Sequence, residues 1–181
     1  AVIKYIEFAG DYSILNQTAG YVNGEPLAQN QVDKVQVYEC IKSGSIFEHC
    51  IKAIEHSIKF GKNGLPLMGS GDWNNGMNKV GIEGIGESVW LGFFLYNILK
   101  DFIKIIKYQE GLNTGGAVSK EISVAMNDNN QNHEVRAENL ADTKQNHEFD
   151  YEETIKKYES IAEKIKIALN SVAWDGRWYK R

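Results

Sequence analysis

The helical character of this chain is clearest in the stretch from Ser45 to Gly61, which reads SIFEHCIKAIEHSIKFG. Ser45 and Glu48 have the spacing of a capping box, in which each side chain binds the backbone N–H of the other residue at a helix start. The apolar residues that follow recur at helical spacing, and they are Phe47, Cys50, Ile51, Ile54 and Ile58. Because glycine is a stop signal, this stretch predicts an amphipathic helix that begins at Ser45 and ends at Gly61.

Two other stretches predict helices with clear ends. A short helix is expected from Val2 to Phe8, where Gly10 ends it, and a long one from Asp150 to about Ala173. The apolar face of the long helix consists of Tyr158, Ile161, Ile165 and Leu169.

A further helix is predicted to begin near Gly86, with Glu87 in its first turn, where the helix dipole favours a carboxylate. Its expected buried stripe consists of Trp90, Phe93, Phe94, Ile98, Phe102 and Ile105. Apart from a weak alternation from Val32 to Val37, no run has the period-two pattern of a strand. The predicted fold class is therefore all-α, with helix pairs joined by long loops.

The composition is that of one soluble globular domain, with 181 residues of which 43% are hydrophobic and 24% charged, and a net charge of -4. The Lys and Arg residues form no basic block, which argues against nucleic acid as a partner. The most apolar stretch, Val89 to Ile106, contains Lys100 and Asp101, so no membrane contact is expected from it. Cys40 and Cys50 are too few for a disulfide framework and predict a reducing, cytoplasmic location.

Residues 109–150 differ in composition from the rest of the chain. The part from Gln109 to Glu148 has no aromatic residue and is rich in asparagine. Such a segment buries too little apolar surface to offset the entropy of ordering it. We therefore expect a flexible insertion at 109–150 within a single fragment of 1–181.

A glycine-rich loop is the first candidate for a functional site, because seven of the 17 glycines fall between Gly64 and Gly86. Dense glycine marks backbone that turns sharply or approaches a ligand closely. The polar and aromatic residues of this region are Asp72, Trp73, Asn74, Asn75, Asn78, Glu83 and Glu87. An indole face stacks on the C–H face of a sugar, and amides and carboxylates bind its hydroxyls. A sugar site is one reading, and a turn at Asn75-Gly76 with Asp72 as a helix cap is the other.

Other kinds of site receive less support from the sequence. The glycines at 69–71 and 81–86 lack the preceding strand and the spacing of a phosphate-binding loop. The histidines do not have the spacing of metal ligands, so no metal is predicted. For His49 a hydrogen-bonded structural role is favoured over contact with a substrate.

The longest motif, from Gly64 to Gly81, reads GLPLMGSGDWNNGMNKVG, and GESVWL follows it at 86–91. FEHC at 47–50 and GEPL at 24–27 precede it, while AWDGRWY stands at 173–179. Together these motifs resemble glycoside hydrolase family 94, and in particular the phosphorylase-like C-terminal part of cyclic β-1,2-glucan synthases. The likeness covers nearly the whole chain except the asparagine-rich insertion.

The resemblance implies a partial (α/α)6 barrel, a helical toroid to which this chain contributes a fragment. It also implies inverting phosphorolysis of a β-linked glucan or glucooligosaccharide to α-glucose 1-phosphate, with inorganic phosphate as co-substrate and no other cofactor. A homodimer, or association with other segments of the barrel, would complete the fold. In such a reaction an acid protonates the leaving oxygen while phosphate attacks from the opposite face.

The resemblance also assigns roles to single residues. Trp73 would stack on the sugar, with Asn74, Asn78 and Glu87 completing the substrate-binding set, and Asp72 would support the loop or take part in catalysis. The family's general acid is the Asp of a Trp-Asn-Asp-Gly sequence, and its position falls on Asn75. An amide cannot deliver the proton, so impaired catalysis is expected. A decayed gene product is favoured over an engineered or miscalled residue and over a proton supplied by Asp72.

Two rival functions remain. One is a catalytically inactive remnant that binds glucan or has a structural role. The other is a hydrolytic enzyme of the same barrel type, in which Glu83 or Glu87 would have to serve as the base.

Overall fold

The computed structural model describes residues 1–22, 40, 42–69, 81–114 and 149–180. Its helices are α1 (Val2–Ala9), α2 (Ile46–Ser57), α3 (Val89–Thr114) and α4 (Tyr151–Ala168), with a 3₁₀ helix at Tyr12–Asn16 and a π turn at Leu169–Ala173. Two strands, β1 (Thr18–Tyr21) and β2 (Lys42–Ser45), form an antiparallel pair. The described part of the chain is therefore mostly helical, as predicted.

The predicted helix caps are confirmed. Ser45 accepts a hydrogen bond from the Glu48 N–H at 3.1 Å, and the Glu48 carboxylate accepts one from the Ser45 N–H at 2.7 Å. At the start of α4, the Asp150 carboxylate accepts from the Glu153 N–H at 2.8 Å. Gly10 ends α1 in the left-handed conformation, with φ 66°, which glycine adopts without steric cost. The second helix stops at Ser57, before the predicted end at Gly61.

The core lies between α3 and α4. Leu99 and Ile106 of α3 and Tyr158 and Ile165 of α4 are fully buried. Phe47 of α2 packs against Phe102 with ring centroids 5.8 Å apart, which joins α2 to this pair. Each such buried side chain contributes about 1.5–3 kcal/mol relative to an exposed one. The apolar faces predicted for α2 and α4 are therefore confirmed in outline.

The buried stripe predicted for α3 is wrong at the start of the helix. Trp90 and Phe94 are 52% and 53% exposed, whereas Leu95 and Leu99 are 5% and 0% exposed. The helix is apolar on every side in its first turns, so spacing alone cannot select the face that packs. The face that packs contains Gly92, where the helix lies close to Leu169. A Cβ atom added to Gly92 would lie 3.2 Å from the Leu169 side chain, so the missing side chain allows this close approach.

The strand pair was not predicted. Its strands read TAGY and KSGS, and in the register Thr18 faces Ser45 and Tyr21 faces Lys42. Stretches of four residues containing glycine show too few alternations to be recognised as strands. The weak alternation at 32–37 lies outside the described residues.

The predicted insertion at 109–150 overlaps with described structure at both ends. Helix α3 continues to Thr114, and Asp150 caps α4. The remainder, 115–148, lies outside the described residues. No helix within the described ranges is long and apolar enough to cross a membrane.

Candidate functional site

The loop predicted to bind sugar is described only at its two ends. Asp72, Trp73, Asn74, Asn75 and Asn78 lie outside the described residues, so their predicted roles stay predictions. The structure does place Glu83, Glu87 and the backbone on both sides of residues 70–80. We call residues 59–69 together with 81–88 the neck.

The first half of the neck is a short hairpin. Phe60 pairs with Pro66 in an antiparallel bridge, and the Leu67 N–H donates to the Lys59 carbonyl at 2.9 Å. Between them the chain reverses in a turn from Gly61 to Gly64, where the Gly64 N–H donates to the Gly61 carbonyl at 3.0 Å. Gly64 has φ 78°, which favours glycine.

The second half of the neck adds a strand-like segment to this hairpin. Leu67 pairs with Glu87, flanked by hydrogen bonds of 2.9 Å from Met68 N–H to the Gly86 carbonyl and from Ser88 N–H to the Pro66 carbonyl.

The two chain ends that bracket residues 70–80 lie side by side in the neck. Gly81 is buried against Met68 and Gly69, and a Cβ on Gly81 would come within 2.4 Å of the Met68 carbonyl oxygen. Gly81 therefore allows a backbone approach that no other residue would permit without a shift.

The Glu87 carboxylate binds the turn of the neck. Its Oε1 accepts from the backbone N–H of Asn63 at 3.0 Å and from the side-chain amide of Asn63 at 3.1 Å. Its Oε2 accepts from the Leu65 N–H at 3.0 Å. The prediction that Glu87 lies in the first turn of a helix is wrong, since α3 begins at Val89 and the carboxylate serves backbone N–H groups of a turn instead.

Glu83, the other carboxylate considered as a hydrolytic base, lies in an exposed turn. The Gly84 N–H closes this turn on the Gly81 carbonyl at 2.9 Å, and Gly84 has φ 70°. Within the described part of the chain Glu83 and Glu87 do not form an enclosed acid–base pair, because Glu83 is exposed and the Glu87 carboxylate binds backbone N–H groups of the neck.

His49 has the structural role that the sequence analysis favoured. Its Nε2 lies 3.0 Å from the Ala19 carbonyl oxygen, which only accepts, so this nitrogen carries the proton. The imidazole stacks on the Tyr21 ring at 3.9 Å, and the Lys52 ammonium lies 3.7 Å from the same ring centroid. This cluster joins β1 to α2. Sequence reasoning missed it because the strand pair that supplies Tyr21 was itself missed.

The two cysteines and the possible metal ligands are also candidates for reactive groups. Cys40 and Cys50 are both free, and burial raises the pKa of the Cys50 thiol. Within the described ranges, no three His, Cys, Asp or Glu side chains are grouped so that they could hold a metal ion.

Six exposed aromatic side chains lie at the beginning of α3 and near the end of the described chain, and we call them together the aromatic face: Trp90, Phe93, Phe94, Trp174, Trp178 and Tyr179. Trp90 and Phe94 stack at 5.3 Å, and Tyr179 contacts Phe93 edge-on at 4.7 Å and Trp174 at 5.0 Å. Beside it, a shallow cavity of about 260 Å³ opens between α3 and α4, with Leu169 in its lining.

The neck and the first turns of α3 lie in the part of the chain that matches a known family model. Residues 3–141 match the model of the glycosyl hydrolase 94 superfamily, catalytic domain. The chain belongs to the glycosyl hydrolase 94 superfamily. The resemblance stated from the sequence is thereby confirmed.

Relatives of this glycosyl hydrolase 94 chain include a synthase and two phosphorylases. It is 40% identical over 105 residues, 57% of its length, to the cyclic beta-(1,2)-glucan synthase NdvB of Rhizobium meliloti (strain 1021). It is 26% identical to two proteins of Paenibacillus borealis, a solabiose phosphorylase over 98% of the chain and a 3-O-beta-D-glucopyranosyl-beta-D-glucuronide phosphorylase over 76%. The matched parts make up 4%, 16% and 13% of these relatives, respectively.

Proposed function

We propose that this chain is a segment of a phosphorylase-type catalytic domain that acts on β-linked glucans. The observation that carries the proposal is the family match, which spans the glycine-rich loop and both halves of the neck. The similarity to a cyclic glucan synthase and to two β-glucoside phosphorylases supports β-linked glucose as the substrate class. A cytoplasmic location is part of this proposal, supported by the two free thiols.

The proposed reaction is inverting phosphorolysis. An oxygen of inorganic phosphate attacks the anomeric carbon, the glycosidic C–O bond breaks, and the leaving oxygen takes a proton, giving α-glucose 1-phosphate and a shortened glucan. Trp73 would stack on the sugar ring, and Asp72, Asn74 and Asn78 would bind hydroxyls or hold the loop. The nucleophile is already ionised, so the reaction needs an acid and no base.

The position of that acid falls on Asn75, which limits the rate. A carboxamide has no proton to give to a leaving alkoxide, and general acid catalysis contributes about a hundred- to ten-thousand-fold. This observation favours the second candidate function, a catalytically inactive segment that binds glucan without cleaving it.

The proposal extends to the fold, for which we expect a partial (α/α)6 barrel. The aromatic face supports this, because first turns that are apolar on every side, as in α3, are typical of a helix segment covered by other parts of a larger protein. Trp90 and Phe94 would pack against other helices of the barrel or against a second copy of the chain.

A comparison of the unaltered chain with one variant tests the function. The unaltered chain and Asn75→Asp are incubated with β-1,2-glucooligosaccharide and phosphate, and glucose 1-phosphate is assayed. We expect a gain of at least a hundredfold in Asn75→Asp, measured also in a chain extended to the full domain. Substantial phosphorolysis by the unaltered chain would contradict the inactive-segment alternative, and no gain in the extended variant would contradict the acid position.

Binding is tested separately from turnover. Sugar should change the intrinsic fluorescence of the unaltered chain, and Trp73→Ala should abolish that change. Trp90→Ala is the matched control, because it removes an exposed tryptophan from the aromatic face and should leave the sugar response intact. A response retained in Trp73→Ala would move the binding site elsewhere.

A further inference from the structure

Glu87 binds the turn of the neck through contacts that the sequence analysis did not predict. Its carboxylate accepts three hydrogen bonds, from the backbone and side chain of Asn63 and from the backbone of Leu65. Among the described residues, neither of these backbone N–H groups donates to a backbone carbonyl, so the carboxylate is the acceptor that the structure shows for both. Hydrogen bonds to a charged group are stronger than those between neutral groups.

Gly61 provides the space that the carboxylate occupies. A Cβ at Gly61 would lie 2.4 Å from Cγ, Cδ and Oε1 of Glu87. Real contacts are never that short, so any side chain at this position would displace the carboxylate from the turn. Gly61 and Glu87 therefore form one unit, although they are far apart in sequence.

Gly61 and Glu87 stabilise the part of the neck that directly precedes and follows residues 70–80 in sequence. Leu65 directly precedes Pro66, whose carbonyl accepts from the Ser88 N–H beside Glu87. Met68 and Gly69 follow directly and contact Gly81. A displaced carboxylate would thus loosen the pairing that holds Gly69 and Gly81 together.

We propose that Glu87 is a positioning residue, which holds the neck through the turn at 61–64 and does not contact the sugar. This differs from the substrate-binding role suggested by the sequence. The effect of Glu87 on sugar binding rests on the proposed function. Its hydrogen bonds to the turn at 61–64 do not depend on that function. Three of the about four lone-pair sites of the carboxylate already accept from donors of the turn, which favours the turn over a sugar as its binding partner.

Amide hydrogen exchange measures the first half of the proposal without any sugar. In Glu87→Gln one acceptor oxygen becomes an NH₂ donor, which cannot bind an N–H group. We expect exchange at Asn63 or Leu65 to rise at least tenfold, with helical circular dichroism retained. Glu163→Gln is the control, since it removes an equal charge from the exposed pair with Lys166 and should leave these amides unchanged.

Gly61→Ala separates positioning from direct contact, because it displaces the carboxylate and alters no charge. We expect both Gly61→Ala and Glu87→Gln to weaken glucooligosaccharide binding about three- to tenfold, and the double variant to be no weaker than the worse single one, since both changes break one unit. If either variant fails to fold, Asn63→Ala removes only the side-chain hydrogen bond and should give a smaller rise in exchange.

Three results would overturn the proposal. Unchanged exchange in Glu87→Gln would show that the carboxylate does not hold the turn. Weaker binding in Glu87→Gln alone, with normal binding in Gly61→Ala, would show that the carboxylate contacts sugar. A lack of sugar binding by the unaltered chain would remove the proposed function and the positioning role with it, while the exchange result would still stand by itself.

Discussion

Asp175 organises the turn near the end of the described chain through one carboxylate oxygen. Its Oδ1 accepts from the backbone N–H groups of Trp178 and Arg177, each at 2.9 Å, and Gly176, which directly follows Asp175, has φ 103°. These bonds stabilise the ionised form, so the Trp178 N–H first and the Arg177 N–H second hold the pKa of Asp175 below its ordinary value of 3.8. The turn carries Trp178 and Tyr179 of the aromatic face.

The pH dependence of this turn follows from the lowered pKa of Asp175. Because the folded pKa is depressed, the contribution of Asp175 is complete above the unfolded value and is lost as the pH falls through the folded value. We expect the Asp175 carboxyl carbon, followed by NMR, to titrate with a midpoint below 3.8. The same carbon in the urea-unfolded chain should titrate at the ordinary aspartate pKa of 3.8, above the midpoint in the folded chain. Equal midpoints in the two states would contradict this account of the turn.

The neck shows what single-residue reasoning could and could not predict. The glycine density at 64–86 correctly indicated sharp turns, which the structure has at Gly64 and Gly84, while a close approach to a ligand stays a prediction. The role of Glu87 could not be predicted, because the groups it binds are at Asn63 and Leu65 and no local pattern links them. The residues at 70–80 remain a prediction from sequence and family.

At the scale of elements, local signals predicted the helices whose ends are capped. The capping box at Ser45, the glycine after α1 and the aspartate before α4 all act within a few residues, so sequence shows them directly. The buried face of α3 and the pairing of β1 with β2 depend on contacts between distant segments. Their physical determinants, such as Gly92 against Leu169, become visible only when the segments meet.

The capping box of α2 should make a measurable contribution to stability. Ser45→Ala removes the acceptor for the Glu48 N–H, and loss of such a cap costs about 0.5–2 kcal/mol. We expect a lower urea midpoint at constant slope. Ser43→Ala, an exposed serine two residues earlier on β2, is the matched control and should change the free energy of unfolding by less than about 0.5 kcal/mol. Equal losses in the two variants would argue against the capping box as the cause.

At the scale of the whole molecule, the burial of α3 is uneven along its length. The second half packs into the core, whereas Trp90 and Phe94 in the first half stack on each other at the surface. Contiguous apolar surface of this kind is typical of a site that contacts other protein. It is the physical reason to expect further helices, or a second copy of the chain, against this side.

Replacing the aromatic face should therefore reduce association and leave the fold intact. We expect Phe94→Ser to lower self-association in sedimentation velocity and to change the free energy of unfolding only slightly. Leu99→Ala, five residues further along the same helix but fully buried, should instead cost about 2–5 kcal/mol. Unchanged sedimentation of Phe94→Ser, in a chain that does associate, would exclude this face as the contact.

The neck also has a consequence for engineering. Gly69 and Gly81 contact each other in the neck. The entropy cost of closing a loop between them grows only with the logarithm of the loop length. We therefore expect peptides of different length, inserted between Gly69 and Gly81, to change the stability of the helical core only slightly. The corresponding peptides of the phosphorylase relatives could be transplanted there one at a time. Such chimeras would turn the chain into a common scaffold for comparing the sugar preferences of different loops.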